Sequence, residues 1–211
     1  ILRRLVGSEM CIRDSSNLEA PQLKGLQTAE LETQRMRHLL DDLLDLSRGD
    51  SGRLSLSQQP VPLLPLLNQV QELAQSSQQR SINLQLPQAD EVMANADPDR
   101  LQQVLLNLIE NACKYSDPHA PVEVALLLKP SELCIEVRDQ GIGVPMEDQQ
   151  RIFERFQRAS NAPAGEGSGL GLSVVRLLVE GMGGQVSLRS QPGSGSVFTL
   201  HLRPVERSDN A

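Results

Sequence analysis

Three polar side chains between positions 107 and 114 have the spacing of one helical face. Asn107, Asn111 and Lys114 stand at i, i+4 and i+7, so a helix would project all three along one stripe. An asparagine carbonyl oxygen can ligate Mg²⁺, which takes its other ligands from water and phosphate oxygens, and a lysine ammonium can neutralise phosphate. The stripe therefore suits a polyanion with a hard cation, although an ordinary solvated helix face can have the same composition.

A second candidate lies where the chain leaves a predicted strand, in the segment Asp139-Gln-Gly141-Ile-Gly143. Glycine allows a tight turn and a close approach of the backbone to a ligand. An aspartate carboxylate at a strand end can accept a hydrogen bond from an exocyclic amine, which would select adenine. Aspartate followed by glycine is common after strands, so this segment indicates such chemistry only in combination with the others.

Alternating glycines form the third candidate, Gly165-Glu-Gly167-Ser-Gly169-Leu-Gly171. They leave backbone N–H groups free to face a phosphate chain at the positive end of a helix dipole. The segment lacks the Lys-Ser/Thr of a Walker loop and the preceding strand of a dinucleotide fingerprint. A flexible linker would have a similar composition, but the helix predicted from Leu170 begins inside the glycine run, which argues against a linker.

Hydrophobic periodicity predicts the elements that must position these groups. Asp97 and Pro98 are typical of a helix N-cap and first turn, and the helix that they open carries the polar stripe. The predicted helices are 28–48, 63–79, 97–115, 147–156 and 170–180, and the predicted strands are 54–56, 82–86, 91–94, 122–128, 132–138, 185–190 and 196–202. This order predicts an α+β fold, an α/β sandwich in which a mixed sheet carries three helices on one face.

The first predicted helix has a wide apolar stripe. Leucine pairs at 39/40 and 43/44 make it wider than one neighbouring helix would cover. A helical bundle, formed in a dimer, would bury such a stripe. The alternative is a helix that packs only on its own domain.

Composition excludes several classes of protein. Three Phe, one Tyr and no Trp among 211 residues are too few for the stacking platforms of a single-stranded nucleic-acid binder. A formal net charge of −7 disfavours a duplex binder, which needs a basic face. No apolar run approaches the roughly 20 residues that cross a bilayer. Three cysteines at 11, 113 and 134 are too scattered for a disulfide framework or a zinc site, so a reducing cytoplasm is expected.

Residues 1–15 follow no helical or strand period. The string from Leu5 to Ser15 corresponds, codon by codon, to a transposase adapter of the kind ligated to DNA fragments for short-read sequencing. We therefore expect 1–15 to be a translated adapter and no part of the natural fold; a short natural arm is the alternative. The expected organisation is then a bundle helix in 16–50, the main domain in 51–205 and a disordered tail in 206–211.

Taken in order, these segments resemble the histidine-kinase ATP-binding domain of the superfamily shared with gyrase, Hsp90 and MutL ATPases. The Asn-rich helix, Asp-x-Gly-x-Gly at 139–143, Ile152-Phe-Glu-Arg-Phe156 and the glycine run at 165–171 are similar to its N, G1, F and G2 boxes. The resemblance covers roughly 58–204. Segment 36–48 is similar to the second helix of the family's dimerisation and phosphotransfer domain, of which 16–50 would be an incomplete copy.

The resemblance implies roles for the residues near the metal and the base. Asn111 would ligate Mg²⁺, and Asn107 would support the same site one turn earlier. Lys114 would contact phosphate, and Tyr115 would lie beside the nucleotide. Asp139 would accept a hydrogen bond from the adenine amine.

Further roles follow from the same resemblance. Gly141 and Gly143 would line the base and ribose, and Arg158 would approach the terminal phosphates. Segment 159–167 would be a mobile ATP lid, and Thr199 would be a partner of Asp139. The residues that hold the phosphate chain would be Gly167, Gly169, Leu170 and Gly171.

Position 107 also separates classes within the superfamily. ATP-hydrolysing members have a glutamate there, as general base for water, whereas this chain has Asn107. Because asparagine cannot take a proton, the resemblance implies a site that binds ATP and presents its γ-phosphate rather than activating water.

The acceptor histidine of such a kinase is usually followed by an acid and a Thr/Asn-Pro bend. His38, His119 and His201 lack that context, so we expect the chain to bind ATP without phosphorylating itself. The resemblance implies the C-terminal part of a two-component sensor histidine kinase, which donates the γ-phosphate to a histidine on a helix missing here. Its partners would be a second copy in a homodimer and a response-regulator receiver domain, and its setting would be the cytoplasm, with many such parent kinases anchored in the inner membrane.

Two other functions stay open. One is a non-catalytic ATP-binding switch or docking module. The other is an anti-sigma-type serine kinase on the same fold, which would lack the leucine-rich helix at 28–48.

Overall fold

The computed structural model describes residues 20–89, 91–163 and 167–205. The expectations for 1–15, for the tail 206–211 and for Gly165 lie outside the described residues. The chain has two compact units, with the boundary in the sequence between Asp41 and Asp42.

Helix α1 spans Ala20–Asp50 and begins earlier than the predicted start at residue 28. Its apolar side chains divide into two groups. Leu46 is buried in the second unit, whereas Met36, Leu40, Leu43 and Leu44 are exposed. The predicted wide stripe is thus present and stays largely uncovered by the described residues of the chain.

The second unit is built on a five-stranded sheet in the order β2-β4-β5-β7-β6. Its strands are β2 (Ile82–Gln85), β4 (Val122–Leu128), β5 (Leu133–Asp139), β6 (Gln185–Gln191) and β7 (Gly195–Leu202). Strand β2 runs parallel to β4, and the other neighbours are antiparallel. The mixed sheet is therefore as predicted.

A second, two-stranded sheet pairs β1 (Gln59–Pro62) with β3 (Met93–Ala96). The predicted strand at 54–56 is wrong, because this segment has no regular structure. Its leucines instead pack against a helix: a Cβ on Gly181 would lie 2.7 Å from Leu56 Cδ1. The alternation of Leu54 and Leu56 thus reflects packing against a helix and not pairing in a sheet.

Three helices accompany the sheet: α2 (Leu63–Gln78), α3 (Pro98–Lys114) and α4 (Gly171–Gly181). The capping predicted for α3 is confirmed, since the Asp97 carboxylate accepts a hydrogen bond from the Arg100 N–H at 3.1 Å and Pro98 opens the first turn. The buried side of α3 consists of Leu101, Val104, Leu105, Leu108, Ile109 and Ala112. Within the described ranges, no helix is both long enough and apolar enough to span a bilayer.

The predicted helix at 147–156 is reduced to a 3₁₀ turn, Arg151–Phe153. The backbone becomes extended at Glu154 and has a positive φ of 60° at Phe156. The Phe153 ring instead meets Phe198 edge-on, with 6.3 Å between ring centroids. Apolar spacing alone had suggested a longer helix, but packing on the sheet ends it after one turn.

The two faces of the sheet differ in chemistry because side chains alternate along each strand. One face, which we call the helix face, carries apolar cross-strand pairs such as Val124–Val137 and Ile135–Leu200. The other, which we call the polar face, carries residues whose side chains bond to one another: Glu136, Arg138, Ser187, Arg189 and His201. This division decides which strand residues can reach the site described next.

Candidate functional site

The polar stripe predicted on α3 is present, and it faces the start of α4. Asn107, Asn111 and Lys114 are half-buried and lie outside the set of core side chains. A Cβ on Gly171, the first residue of α4, would lie 3.8 Å from Asn107 Oδ1. The side chain of Asn107 is therefore directed at the N-terminus of α4.

The described part of the glycine run lies against the same stripe. Gly167 has φ +81°, and a Cβ there would stand 2.7 Å from Lys114 Nζ and 3.6 Å from Tyr115 Oη. Gly169 has φ +72°, and its Cβ would stand 2.8 Å from the backbone carbon of Phe156. Side chains at these two positions would meet strain and crowding, which explains why glycine occurs there. Buried Leu170 then leads into α4.

The Asp-x-Gly-x-Gly segment joins the C-terminal end of α3. The Ile142 N–H donates to the Tyr115 carbonyl at 3.0 Å, and a Cβ on Gly141 would overlap that carbonyl. Lys114 Nζ lies 5.3 Å from the centroid of the Tyr115 ring. The three candidates thus surround one region, at the end of α3 and the start of α4.

Asp139 is buried at the end of β5. Its carboxylate accepts a hydrogen bond from the Gly141 N–H at 2.8 Å. Burial raises the pKa of Asp139, and hydrogen bonds from Gly141 and Ser196 oppose that shift. The carboxylate is therefore held in place by the turn and by the neighbouring strand.

The expected partnership between Thr199 and Asp139 is wrong. Asp139 lies opposite Ser196 in the β5–β7 register, whereas Thr199 lies opposite Glu136. Because side chains alternate in direction along a strand, Thr199 belongs to the polar face and Asp139 to the helix face. The partner of Asp139 on β7 is Ser196, which lies opposite it in the β5–β7 register.

The hairpin between β6 and β7 closes over Gly143. This glycine has φ +66°, and a Cβ there would overlap the Gln191 carbonyl. The Gly193 N–H donates to the Ile142 carbonyl at 2.9 Å. Asn161 Nδ2 donates to the Gly143 carbonyl at 2.9 Å, so the segment predicted as a lid begins by bonding to the same turn.

Two further contacts order the start of that segment. The Asp148 carboxylate accepts a hydrogen bond from the Ser160 N–H at 2.7 Å, and this bond lowers the pKa of Asp148. Arg158 donates through Nη2 to the Pro163 carbonyl. Its Nε is buried and has no hydrogen-bond partner among the described residues, which leaves a donor for an anion. Among the described residues, Arg158 bonds within its own loop, and no described hydrogen bond joins it to the polar stripe of α3.

Sequence reasoning missed Arg80, which holds the end of α3 and the loop that follows it. Its guanidinium donates to Ser116 Oγ at 2.9 Å and to the Ala120 carbonyl at 2.6 Å. It also donates to the carbonyls of Cys113 and Asp117. A lone arginine before a strand gives no signal of this role in the sequence, because all its acceptors lie more than 30 residues away.

Comparisons with known proteins identify the family of the chain. Residues 96–206 match the family described as histidine kinase-, DNA gyrase B-, and HSP90-like ATPase. The signal transduction histidine-protein kinase BarA of Escherichia coli strain K12 is 34% identical over 197 residues, which cover 89% of this chain and 21% of BarA. The chain therefore spans about a fifth of the length of this curated relative.

Two solved structures share the fold. The mycobacterial sensor histidine kinase MprB has a TM-score of 0.63 and 27% identity, covering 69% of this chain and 98% of its own. Full-length ShkA in complex with AMPPNP has a TM-score of 0.73 and 27% identity, covering 91% of this chain and 41% of its own. The predicted α+β fold is confirmed. Since the family match extends over more than half of the chain, the chain belongs to the histidine kinase-, DNA gyrase B- and HSP90-like ATPase family.

Proposed function

We propose that the chain is the ATP-binding catalytic part of a two-component sensor histidine kinase. It binds ATP with Mg²⁺ and presents the γ-phosphate to a histidine of a dimerisation helix, for transfer to an aspartate of a response-regulator receiver domain. One observation carries the proposal: Gly167, in the run before α4, lies against Lys114 of α3, and Gly171, the first residue of α4, lies against Asn107 of α3. The names of the relatives support the phosphotransfer.

The base would bind at the end of β5. The Asp139 carboxylate would accept a hydrogen bond from the exocyclic amine of adenine, while Gly141 and Gly143 allow the backbone to approach the base and ribose. Tyr115 would lie beside the nucleotide. Guanine has a carbonyl oxygen in place of that amine, and two acceptors cannot form a hydrogen bond. Burial of Asp139 would make the mismatch costly.

The phosphates would bind between α3 and α4. Free N–H groups at a helix N-terminus favour anions, and the ammonium of Lys114 adds a positive charge. The unpaired Nε of Arg158 offers a further donor to the terminal phosphate. The amide oxygens fit a hard cation: Asn111 would ligate Mg²⁺ with support from Asn107, and the metal would neutralise phosphate charge.

The site lacks a base for hydrolysis at the relevant position. Asn107 faces the start of α4, and an amide cannot take a proton from water. The ATP would therefore persist until an acceptor reaches it. None of His38, His119 and His201 has the sequence context of a phosphoacceptor, so the acceptor histidine would come from another segment of the intact, dimeric protein.

Calorimetric titration with AMPPNP and Mg²⁺ tests the nucleotide site. We expect saturable binding that Asn111→Ala weakens at least about tenfold, which corresponds to about 1.4 kcal/mol. Asn68→Ala is the matched control, because Asn68 is an exposed helical asparagine on α2 and its loss should leave the affinity unchanged. Absence of binding by folded wild-type protein would overturn the proposal.

Labelling of the intact protein with γ-labelled ATP tests the phosphotransfer. Acid-labile, base-stable label on histidine supports the kinase. Bound nucleotide without label would instead indicate a non-catalytic switch module, and acid-stable label would indicate a serine kinase.

A further inference from the structure

A cluster of metal-ligating side chains lies on the polar face of the sheet. Cys134 on β5 and His201 on β7 face each other as a cross-strand pair, and Glu132 reaches the same point from just before β5. Cys134 Sγ lies 3.6 Å from His201 Nδ1, and Glu132 Oε2 lies 2.9 Å from the same nitrogen. The three ligand atoms all lie within 4.8 Å of one another.

These distances are close to those of a tetrahedral zinc site. With Zn–S of about 2.3 Å and Zn–N of about 2.0 Å, the sulfur and nitrogen of a tetrahedron are about 3.5 Å apart, and a nitrogen and an oxygen about 3.3 Å apart. The separation of Cys134 Sγ from His201 Nδ1 already fits. The three ligand atoms lie within 4.8 Å of one another, so Glu132 Oε2 would have to move away from the imidazole and towards the sulfur. Glu132 is partly exposed, so its side chain can adjust.

The imidazole of His201 is oriented from its far side. Its Nε2 lies 2.9 Å from Ser187 Oγ on β6, and this contact directs Nδ1 towards Cys134 and Glu132. Histidines that ligate metals characteristically have such a partner on the second ring nitrogen. The observation is independent of the spacing of the three ligands.

A lysine orients the carboxylate of Glu132. Lys129 Nζ lies 2.6 Å from Glu132 Oε1, which leaves Oε2 directed at His201. The ammonium of Lys129 also hydrogen-bonds to Cys134, and because Lys129 is exposed its side chain can move away from the sulfur when a metal binds.

We infer that Glu132, Cys134 and His201 form a zinc site, in which water completes a tetrahedral coordination. On binding, the Cys134 thiol releases its proton to solvent as the S–Zn bond forms. His201 binds through an unprotonated Nδ1 as the neutral imidazole whose proton is on Nε2, which donates to Ser187 Oγ, and no oxidant or reductant is required. The metal would join β5 to β7. The cysteine spacing in the sequence does not indicate this site because its ligands come from separate strands.

The site is separate from the nucleotide site. Cys134 and Asp139 are five residues apart on β5 and lie on opposite faces of the sheet, which separates them by about 17 Å along the strand. Zinc binding and nucleotide binding can therefore be tested independently.

Titration of the full chain with Co²⁺, followed by displacement with Zn²⁺, tests the inference. The titration uses a Cys11→Ser background, since Cys11 lies outside the described residues. We expect one equivalent of Co²⁺ to bind with a thiolate-to-cobalt charge-transfer band that Zn²⁺ abolishes. Cys134→Ser should remove the band, and His201→Gln and Glu132→Gln should each weaken binding at least about tenfold. Ser187→Ala, which removes only the orienting contact, should weaken it about tenfold.

Cys113→Ser and His119→Gln are the matched controls and should leave Co²⁺ binding unchanged. Absence of the band in folded protein would overturn the inference, as would a band that Cys134→Ser leaves intact. Since Cys134 is buried and its variant could misfold, His201→Gln and Glu132→Gln provide the same test at partly exposed positions. Binding of AMPPNP should be unaffected in all these variants, so failure of the zinc site would not be confused with failure of the nucleotide site.

Discussion

The ammonium group of Lys114 lies 2.7 Å from the point where a Cβ of residue 167 would stand. Only glycine lets this nitrogen occupy that position without displacement. The contact joins the last turn of α3 to the glycine run before α4, two segments that strands β4 and β5 and the 3₁₀ turn separate along the chain. The proposed phosphate contacts of Lys114 and of Gly167 therefore both depend on the close approach of these two residues.

Gly167→Ala should weaken AMPPNP binding about tenfold or more, because the added methyl group displaces the Lys114 ammonium. The matched control is Gly193→Ala. Gly193 has a similar positive φ of 75°, against 81° for Gly167, but no atom lies within 4 Å of its hypothetical Cβ. Both variants should lose about 1 kcal/mol of stability through backbone strain, measured by urea denaturation. Equal nucleotide affinities in the two variants would contradict the proposed phosphate site.

Ser196→Ala should weaken AMPPNP binding, and Thr199→Val should leave it nearly unchanged. Both substitutions remove one hydroxyl group from a buried position on β7. Only Ser196 bonds to Asp139, while Thr199 lies opposite Glu136 on the polar face. Calorimetric titration of both variants with AMPPNP measures the two affinities. A larger loss of affinity in Thr199→Val than in Ser196→Ala would contradict the assignment of the two residues to opposite faces of the sheet.

Asp139→Asn should change how stability depends on pH in the nucleotide-free protein. Burial raises the pKa of Asp139 above its ordinary value of 3.8, so the folded state binds this proton more tightly than the unfolded state does. The resulting stabilisation is complete below pH 3.8 and is lost as the pH rises through the raised folded pKa. As the pH rises through this range, the free energy of unfolding of the variant should therefore increase relative to that of the wild-type protein.

Urea denaturation at a series of pH values measures this difference. Asp99→Asn, at an exposed position in the first turn of α3, is the control and should not reproduce the trend. The same Asp139→Asn protein should bind AMPPNP at least about tenfold more weakly, since the amide presents a donor towards the adenine amine. A variant that gains nothing in stability and keeps full affinity would exclude the proposed role of Asp139.

Asp148→Asn should speed hydrogen exchange at the Ser160 amide. The Ser160 N–H donates to Asp148 at 2.7 Å and lowers the pKa of Asp148 below 3.8. The bond therefore stabilises the start of the loop above pH 3.8 and is lost as the pH falls through the lowered folded pKa. Exchange measured by mass spectrometry should show the difference at neutral pH and a smaller one in acid.

Glu147→Gln is the control for this experiment, because Glu147 is the exposed acidic neighbour of Asp148. Its Ser160 amide should exchange at the wild-type rate. If Glu147→Gln and Asp148→Asn had equal effects, the hydrogen bond would not be what orders the loop.

Local signals were sufficient for the helices that hold the site. Asp97 and Pro98 predict where α3 begins, because capping and the fixed φ of proline act on the residues next to them. The stripe of Asn107, Asn111 and Lys114 follows from helical periodicity alone. These predictions hold because each depends on contacts within a few residues along the chain.

Local signals failed where packing on a distant element decides the structure. Leu54 and Leu56 alternate as a strand would, but none of the described strands pairs with this segment, and Leu56 packs against Gly181. The segment at 147–156 has the apolar spacing of a helix, yet Phe153 docks on Phe198 and the helix ends after one turn. Periodicity describes which side chains are apolar and does not identify the surface that buries them.

The sequence by itself predicted the type of ligand and the residues proposed to bind it, because glycine, asparagine and aspartate carry their chemistry wherever they lie. Only the tertiary structure decided which hydroxyl meets Asp139, since the choice between Ser196 and Thr199 depends on a strand register that sequence patterns leave open. It alone brought Cys134 to His201. Register is fixed by contacts between distant strands, and a change of one residue moves a side chain to the other face of the sheet.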